Sequence, residues 1–254
     1  MPEAPSFDLT KWKTESLRMT AFLSPSSQIT EQNWWEEISG SPPEVRSSQP
    51  RTGVKQDEGL FQDENTRGKL ILAVQPSRID WLLAIDFDPT SFNLQSVVSF
   101  SESVNSFTQL MNRWFNVSPN LQRIAFAANT LLPFEDVKQA YEYLPGYFPL
   151  NQLDLKNAQD FIYRINRPRN FDDISDFKIN RLSTWSVMTF TTFKLTNVGS
   201  YTNYLPPFNV AIRLEMDINT STDLSGELPK DKLPKMFAQL VECAKEITLQ
   251  GDIL

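Results

Sequence analysis

The chain has 254 residues, 40% of them hydrophobic and 22% charged, a composition that suits a folded globular protein and excludes a disordered one. Its formal charge is −7, with no histidine and a single cysteine, Cys243. These counts exclude a Ser-His-Asp or Cys-His relay and a Cys/His zinc site within the chain, and they argue against phosphate-rich partners, which need clustered Lys and Arg.

Residues 1–14 read as a lead-in segment. Met1-Pro2-Glu3-Ala4-Pro5 has no basic stretch followed by an apolar run, and no segment reaches the roughly 18 apolar residues of a membrane span, so the cytoplasm is the expected compartment. From Ser16 to Leu23, Leu17, Met19, Ala21 and Leu23 alternate with Arg18, Thr20 and Phe22, the period of a half-buried strand. Ile29, Thr30 and Trp34 fit a staple and N-cap opening a short helix at 31–38. Trp34 and Trp35 are neighbours and cannot share a helix face, so either one anchors a partner at the surface or the next loop covers both. Residues 39–57, rich in Ser, Pro and charge, read as a long surface loop.

Lys69–Gln75 and Arg78–Asp86 predict a hairpin about Pro76-Ser77, its first strand apolar enough for burial on both faces. Ser99 and Glu102 form a capping-box pattern before a helix at 101–115, with Val104, Phe107, Leu110, Met111 and Trp114 on one stripe. Leu121–Leu132 reads as a strand. The order so far is that of a ferredoxin-like split βαβ unit.

Pro133 predicts a helix to Leu144, and Phe161, Ile162 and Ile165 predict a second at 157–166. In the strand region 183–220, Val210, Ile212, Leu214, Met216 and Ile218 point one way. Arg213, Glu215, Asp217 and Asn219 point the other, to a face that is wet or paired. A last helix at 232–250 carries Leu233, Met236, Phe237, Leu240, Val241, Ala244 and Ile247 on one stripe, with Gly251 as its C-cap.

Together these elements predict an α+β fold. It has a mostly antiparallel sheet of about six strands with helices largely on one face, and possible organisation as two related βα halves. The expected parts are a lead-in (1–14), an N-terminal α+β half (15–132), a helical connection (133–182) and a C-terminal ββα half (183–254), joined in one compact unit.

The chemistry that remains is carboxylate chemistry. With 8 glycines and neither a P-loop nor a Gly-x-Gly-x-x-Gly run, phosphate-cradling loops are not expected, and no cofactor is assigned. Asp80 and Asp86 are about 20 Å apart along a strand, too far to share a metal. Asp86, Asp88, Glu215 and Asp217 could form an oxygen-only divalent-metal site, the alternative being a solvated strand face. Arg78 and Asp80 share a face as a structural ion pair, and Cys243 reads as a small core filler. The sequence therefore favours a non-catalytic binding or assembly protein, an accessory subunit or immunity-type inhibitor, over an enzyme. Its acidic balance suits a basic protein partner. The alternative is a divalent-metal hydrolase or phosphodiesterase built on those four carboxylates.

Overall fold

The computed structural model describes residues 8–27, 29, 33–86, 94, 97–148, 155, 158–172, 177–190, 192–195, 201–204, 210–221 and 226–252. Strand β1 (Lys13–Leu23) sends Leu17, Met19, Ala21 and Leu23 into the core, as its period of two predicts. Helix α1 (Trp34–Ser39) follows, starting three residues later than predicted from an Asn33 N-cap; Thr30 lies outside the described residues, and of the expected staple pair Ile29 is exposed while Trp34 is buried. The 39–57 segment is not a loop. It contains β2 (Val45–Gln49) and the start of β3 (Val54–Gln62), joined by a turn in which the Gly53 amide donates to the Gln49 carbonyl. All of β2 is exposed, so it carries none of the apolar alternation that reveals a half-buried strand.

Strands β4 (Arg67–Gln75) and β5 (Arg78–Ile85) form the expected hairpin. Of β4, Leu70 and Leu72 are buried while Ile71 and Ala73 on the opposite face are only partly covered, so this strand is buried on one face alone. Helix α2 (Phe100–Val117) opens on the predicted capping box: Ser99 accepts from the Glu102 amide, and the Glu102 carboxylate accepts from the Ser99 amide. Strand β6 (Leu121–Phe134) runs past Pro133, and helix α3 (Val137–Tyr143) starts from an Asp136 cap. The helix predicted at 157–166 is instead strand β7 (Ile162–Asn166), with β8 (Arg169–Asn170) after it. Strands β9 (Lys178–Thr189) and β12 (Val210–Thr220) flank a separate hairpin of β10 (Thr192–Leu195) and β11 (Tyr201–Tyr204), and α4 (Leu233–Gln250) closes the chain.

The expectation of a six-stranded α+β sheet is thus corrected. The main sheet has ten strands in the order β2-β3-β4-β5-β1-β6-β12-β9-β7, with β8 also on β9. The additional strands come from the segments read as loop and helix. The four strands read as a split βαβ unit lie side by side as β4-β5-β1-β6, with β5 between the two strands that the crossover joins, and β2 and β3 extend them at the edge of a sheet wider than six strands. Every strand pair in the sheet is antiparallel.

The strand order repeats outward from the β1–β6 pair. On one side lie β5, β4 and β3; on the other β12, β9 and β7. The long helix α2 follows β5 and α4 follows β12, and the two helices pack together. Both wings are longer than the ββα unit expected for the C-terminal part. Phe107-Thr108-Gln109-Leu110 on α2 and Phe237-Ala238-Gln239-Leu240 on α4 have the same spacing, and all four Phe and Leu side chains are buried.

The core lies between the helices and one sheet face and is rich in rings. Trp34 meets Trp114 edge-on at 6.0 Å, and Trp35 stacks on Trp81 at 6.2 Å. Trp185 packs against Tyr147 at 4.9 Å and Trp12 at 5.9 Å. A Cβ at Gly59 would lie 2.9 Å from the Trp35 ring, so the bare backbone there lets α1 sit directly on β3. Among the described residues no helix is long and apolar enough to cross a membrane.

Candidate functional site

The other face of the sheet carries no described helix. Register fixes its composition. Across β5, β1, β6 and β12, one row reads Leu82, Arg18, Ala127, Asp217, and continues to Leu182 on β9. The next row reads Ala84, Ser16, Asn129, Glu215 and Thr184, and ends on Arg164 of β7. Small side chains in the middle of a wide sheet leave a depression there, a groove of about 620 Å³ that runs from Leu82 to Ile162 and Arg164.

The polar groups of this groove fall into two sets. Some are held internally: Arg213 Nε donates to Glu15 at 2.9 Å, and the same guanidinium pairs with Glu215. The Asn219 amide donates to Asp217 Oδ1 at 2.9 Å, and the Asn129 amide to Ser16 Oγ at 3.2 Å. Others stand free. Arg18 and Arg164 are exposed, and neither pairs with a carboxylate among the described residues. Each is separated from the nearest acid in its row by one intervening strand, Arg18 from Asp217 by Ala127 and Arg164 from Glu215 by Thr184. Two strand spacings are about 10 Å, a gap that Arg213 spans to reach Glu15 but that neither Arg18 nor Arg164 bridges to an acid among the described residues.

The same face carries exposed apolar side chains at its two ends. Ile162 is 69% exposed, and Val45 and Leu60 at the opposite end are 53% and 47% exposed. Among the described residues, three of the five large hydrophobic side chains that stand exposed therefore lie on the face that no described helix covers. Sequence reasoning missed Ile162 and Arg164 because it placed them on a helix. The signal was present: Ile162, Arg164 and Asn166 alternate with the half-buried Tyr163 and Ile165 at period two.

The predicted site residues are placed as follows. Trp34 and Trp35 are both buried, at 3% and 2% exposure, so neither is a surface anchor. Strand β3 and helix α2 cover them, which is why adjacent helix positions can both be inside. Glu215 and Asp217 line the groove, while Asp86 ends β5 beside the start of α2, and Asp88 lies outside the described residues. Strands β1 and β6 separate β5 from β12, so Asp86 is at least about 14 Å from Glu215 and Asp217. The sheet does not bring these carboxylates together. No cluster of three or more His, Cys, Asp or Glu suited to an ion occurs among the described residues.

Two further polar clusters are structural. Asp80 is 7% exposed, pairs with Arg78 at 2.7 Å and accepts from Thr20 Oγ1 at 2.6 Å. Cys243 is fully buried; burial pushes its thiol up, and the nearby Arg169 and Arg181 pull the other way. Those arginines are held by Glu246, Arg169 at 2.8 Å and Arg181 at 3.4 Å. Comparison with protein-family models, curated proteins and solved structures finds no match for this chain.

Proposed function

We propose that the chain is a non-catalytic binding component of a cytoplasmic protein complex, and that the helix-free face of its sheet is where the partner docks. One observation carries this reading: exposed Ile162 and the unpaired guanidiniums of Arg18 and Arg164 border one groove. An exposed apolar group beside unmatched charges is the make-up of an interface core with its polar rim. The net charge of −7 favours approach by a basic partner, and the two arginines ask that partner for acidic groups at the contact itself. Separation of Asp86 from Glu215 and Asp217 weighs against the carboxylate-hydrolase alternative.

The test is site-specific photo-cross-linking in the cells that produce the protein. A photoreactive residue at position 162 or 18 is expected to give one discrete adduct. The same residue at Lys138, exposed on α3, should give none. Adducts at 138 with none at 162 and 18 would refute the reading.

A further inference from the structure

We propose that the groove receives an α-helix of a partner protein, lying across the strands and presenting acidic, basic and acidic side chains at seven-residue intervals to Arg18, Asp217 and Arg164. This rests on the docking role of the face and adds the form and charge pattern of the occupant.

The spacing decides between chain conformations. The groove crosses β5, β1, β6, β12, β9 and β7, five strand spacings or about 24 Å, the rise of a helix of about 16 residues. The charges that no ion pair neutralises alternate along that direction. Arg18 stands two strands from Asp217, and Asp217 two strands from Arg164, about 10 Å per step. Seven helical residues rise about 10.5 Å and complete nearly two turns, so every seventh side chain returns to the same face. An extended strand covers 10 Å in about three residues and then points the wrong way. A polyproline helix returns to one face every three residues, about 9.3 Å, but such segments dock in aromatic-lined grooves, and among the described residues no aromatic side chain lines this one.

The floor agrees with a helical occupant. Ser16, Ala127 and Thr184 are short, so a cylinder about 10 Å across can approach the sheet backbone between the charged side chains. Arg164 is offset by one residue pair along its strand, about 7 Å, which a long guanidinium side chain spans. Glu215 shares Arg213 with Glu15, and the one net negative charge of that trio lies beside Asp217, where the pattern already has its negative position. Ile162 at the β7 end meets the apolar side of the same helix.

The experiment titrates the full chain with labelled alanine-based helical peptides, followed by fluorescence anisotropy. One carries Glu, Lys and Glu at seven-residue intervals, the second carries Lys, Glu and Lys, and the third is the first with a central proline. The first peptide is expected to bind about tenfold more tightly than the second, since three rim ion pairs turn from attraction to repulsion, and the proline peptide should lose that advantage. In the variant R18E/D217K/R164E, shown to be folded by circular dichroism, the order of the first two peptides should reverse. Equal binding of the first two peptides, no binding of either, or undiminished binding of the proline peptide overturns the proposal. A discrete cross-link at position 162 alongside such a failure would remove the helix and leave the docking face standing. Loss of both would remove the face as well.

Discussion

Phe237 of α4 meets the ring of Phe126 edge-on at 5.7 Å, and Phe107 of α2 packs on the same ring at 6.5 Å. One side chain on the central strand β6 therefore links the long helices of both wings. All three rings are fully buried. Replacing Phe126 with Ala leaves a cavity where three elements meet, and the expected loss of stability is about 3–5 kcal/mol. Equilibrium urea unfolding checks it, with Phe126→Leu as the milder companion. A loss below about 1 kcal/mol for the alanine variant would show that the two wings do not depend on this junction.

Asp252, just past α4, clasps the end of the helix to the β7 edge. It is 7% exposed, accepts from Nε and Nη2 on one edge of the Arg167 guanidinium, and accepts from Tyr163 Oη at 2.5 Å. Burial pushes its carboxyl up, but the bonds from Arg167 and Tyr163 outweigh that and hold it below the usual carboxylate value. A carboxyl lowered by folding stabilises the native state above its unfolded value near 4, and that contribution is lost as pH falls through the folded value. Asp252→Asn should therefore be less stable than the parent at neutral pH by about 1–2 kcal/mol, and the gap should close below about pH 4. Denaturation midpoints of both proteins across that range test this. A gap independent of pH would contradict it.

Gly251 and Gly40 both adopt positive φ, 68° and 77°, yet they should respond differently to alanine. A Cβ at Gly251 would lie 2.1 Å from the Tyr147 carbonyl oxygen, whereas one at Gly40 meets nothing within 4 Å. Gly40→Ala then costs only the backbone preference, about 1 kcal/mol, while Gly251→Ala must also displace the Tyr147 backbone and should cost several times as much. Thermal melts of the two variants give the comparison. Equal shifts would mean the contact at Tyr147 is easily relieved.

Half-buried elements were legible in the sequence and fully exposed ones were not. Leu17 to Leu23 and Val210 to Ile218 alternate because one side of each strand faces the core, and the stripes of α2 and α4 repeat at helical spacing for the same reason. Strand β2 faces water on both sides, so Val45-Arg46-Ser47-Ser48-Gln49 carries no pattern to read. In β7 the exposed Ile162 mimicked a helical stripe with Phe161 and Ile165, although burial alternates residue by residue there. The groove was visible only as the polar side of β12, through Glu215 and Asp217. Its other half depends on which strands become neighbours, and pairing across more than 100 residues, such as Arg18 with Ala127, leaves no local trace.

The most direct test of the docking face uses the partner captured by cross-linking at position 162. Its affinity for the parent chain is compared with that for the variant R18E/I162D, with circular dichroism melts to establish that both are equally folded. Loss of the apolar anchor at the β7 end and reversal of a groove charge should together weaken binding by about a hundredfold or more, with the melting temperature unchanged. Retention of the parent affinity by the folded variant would contradict the assignment of this face as the binding surface.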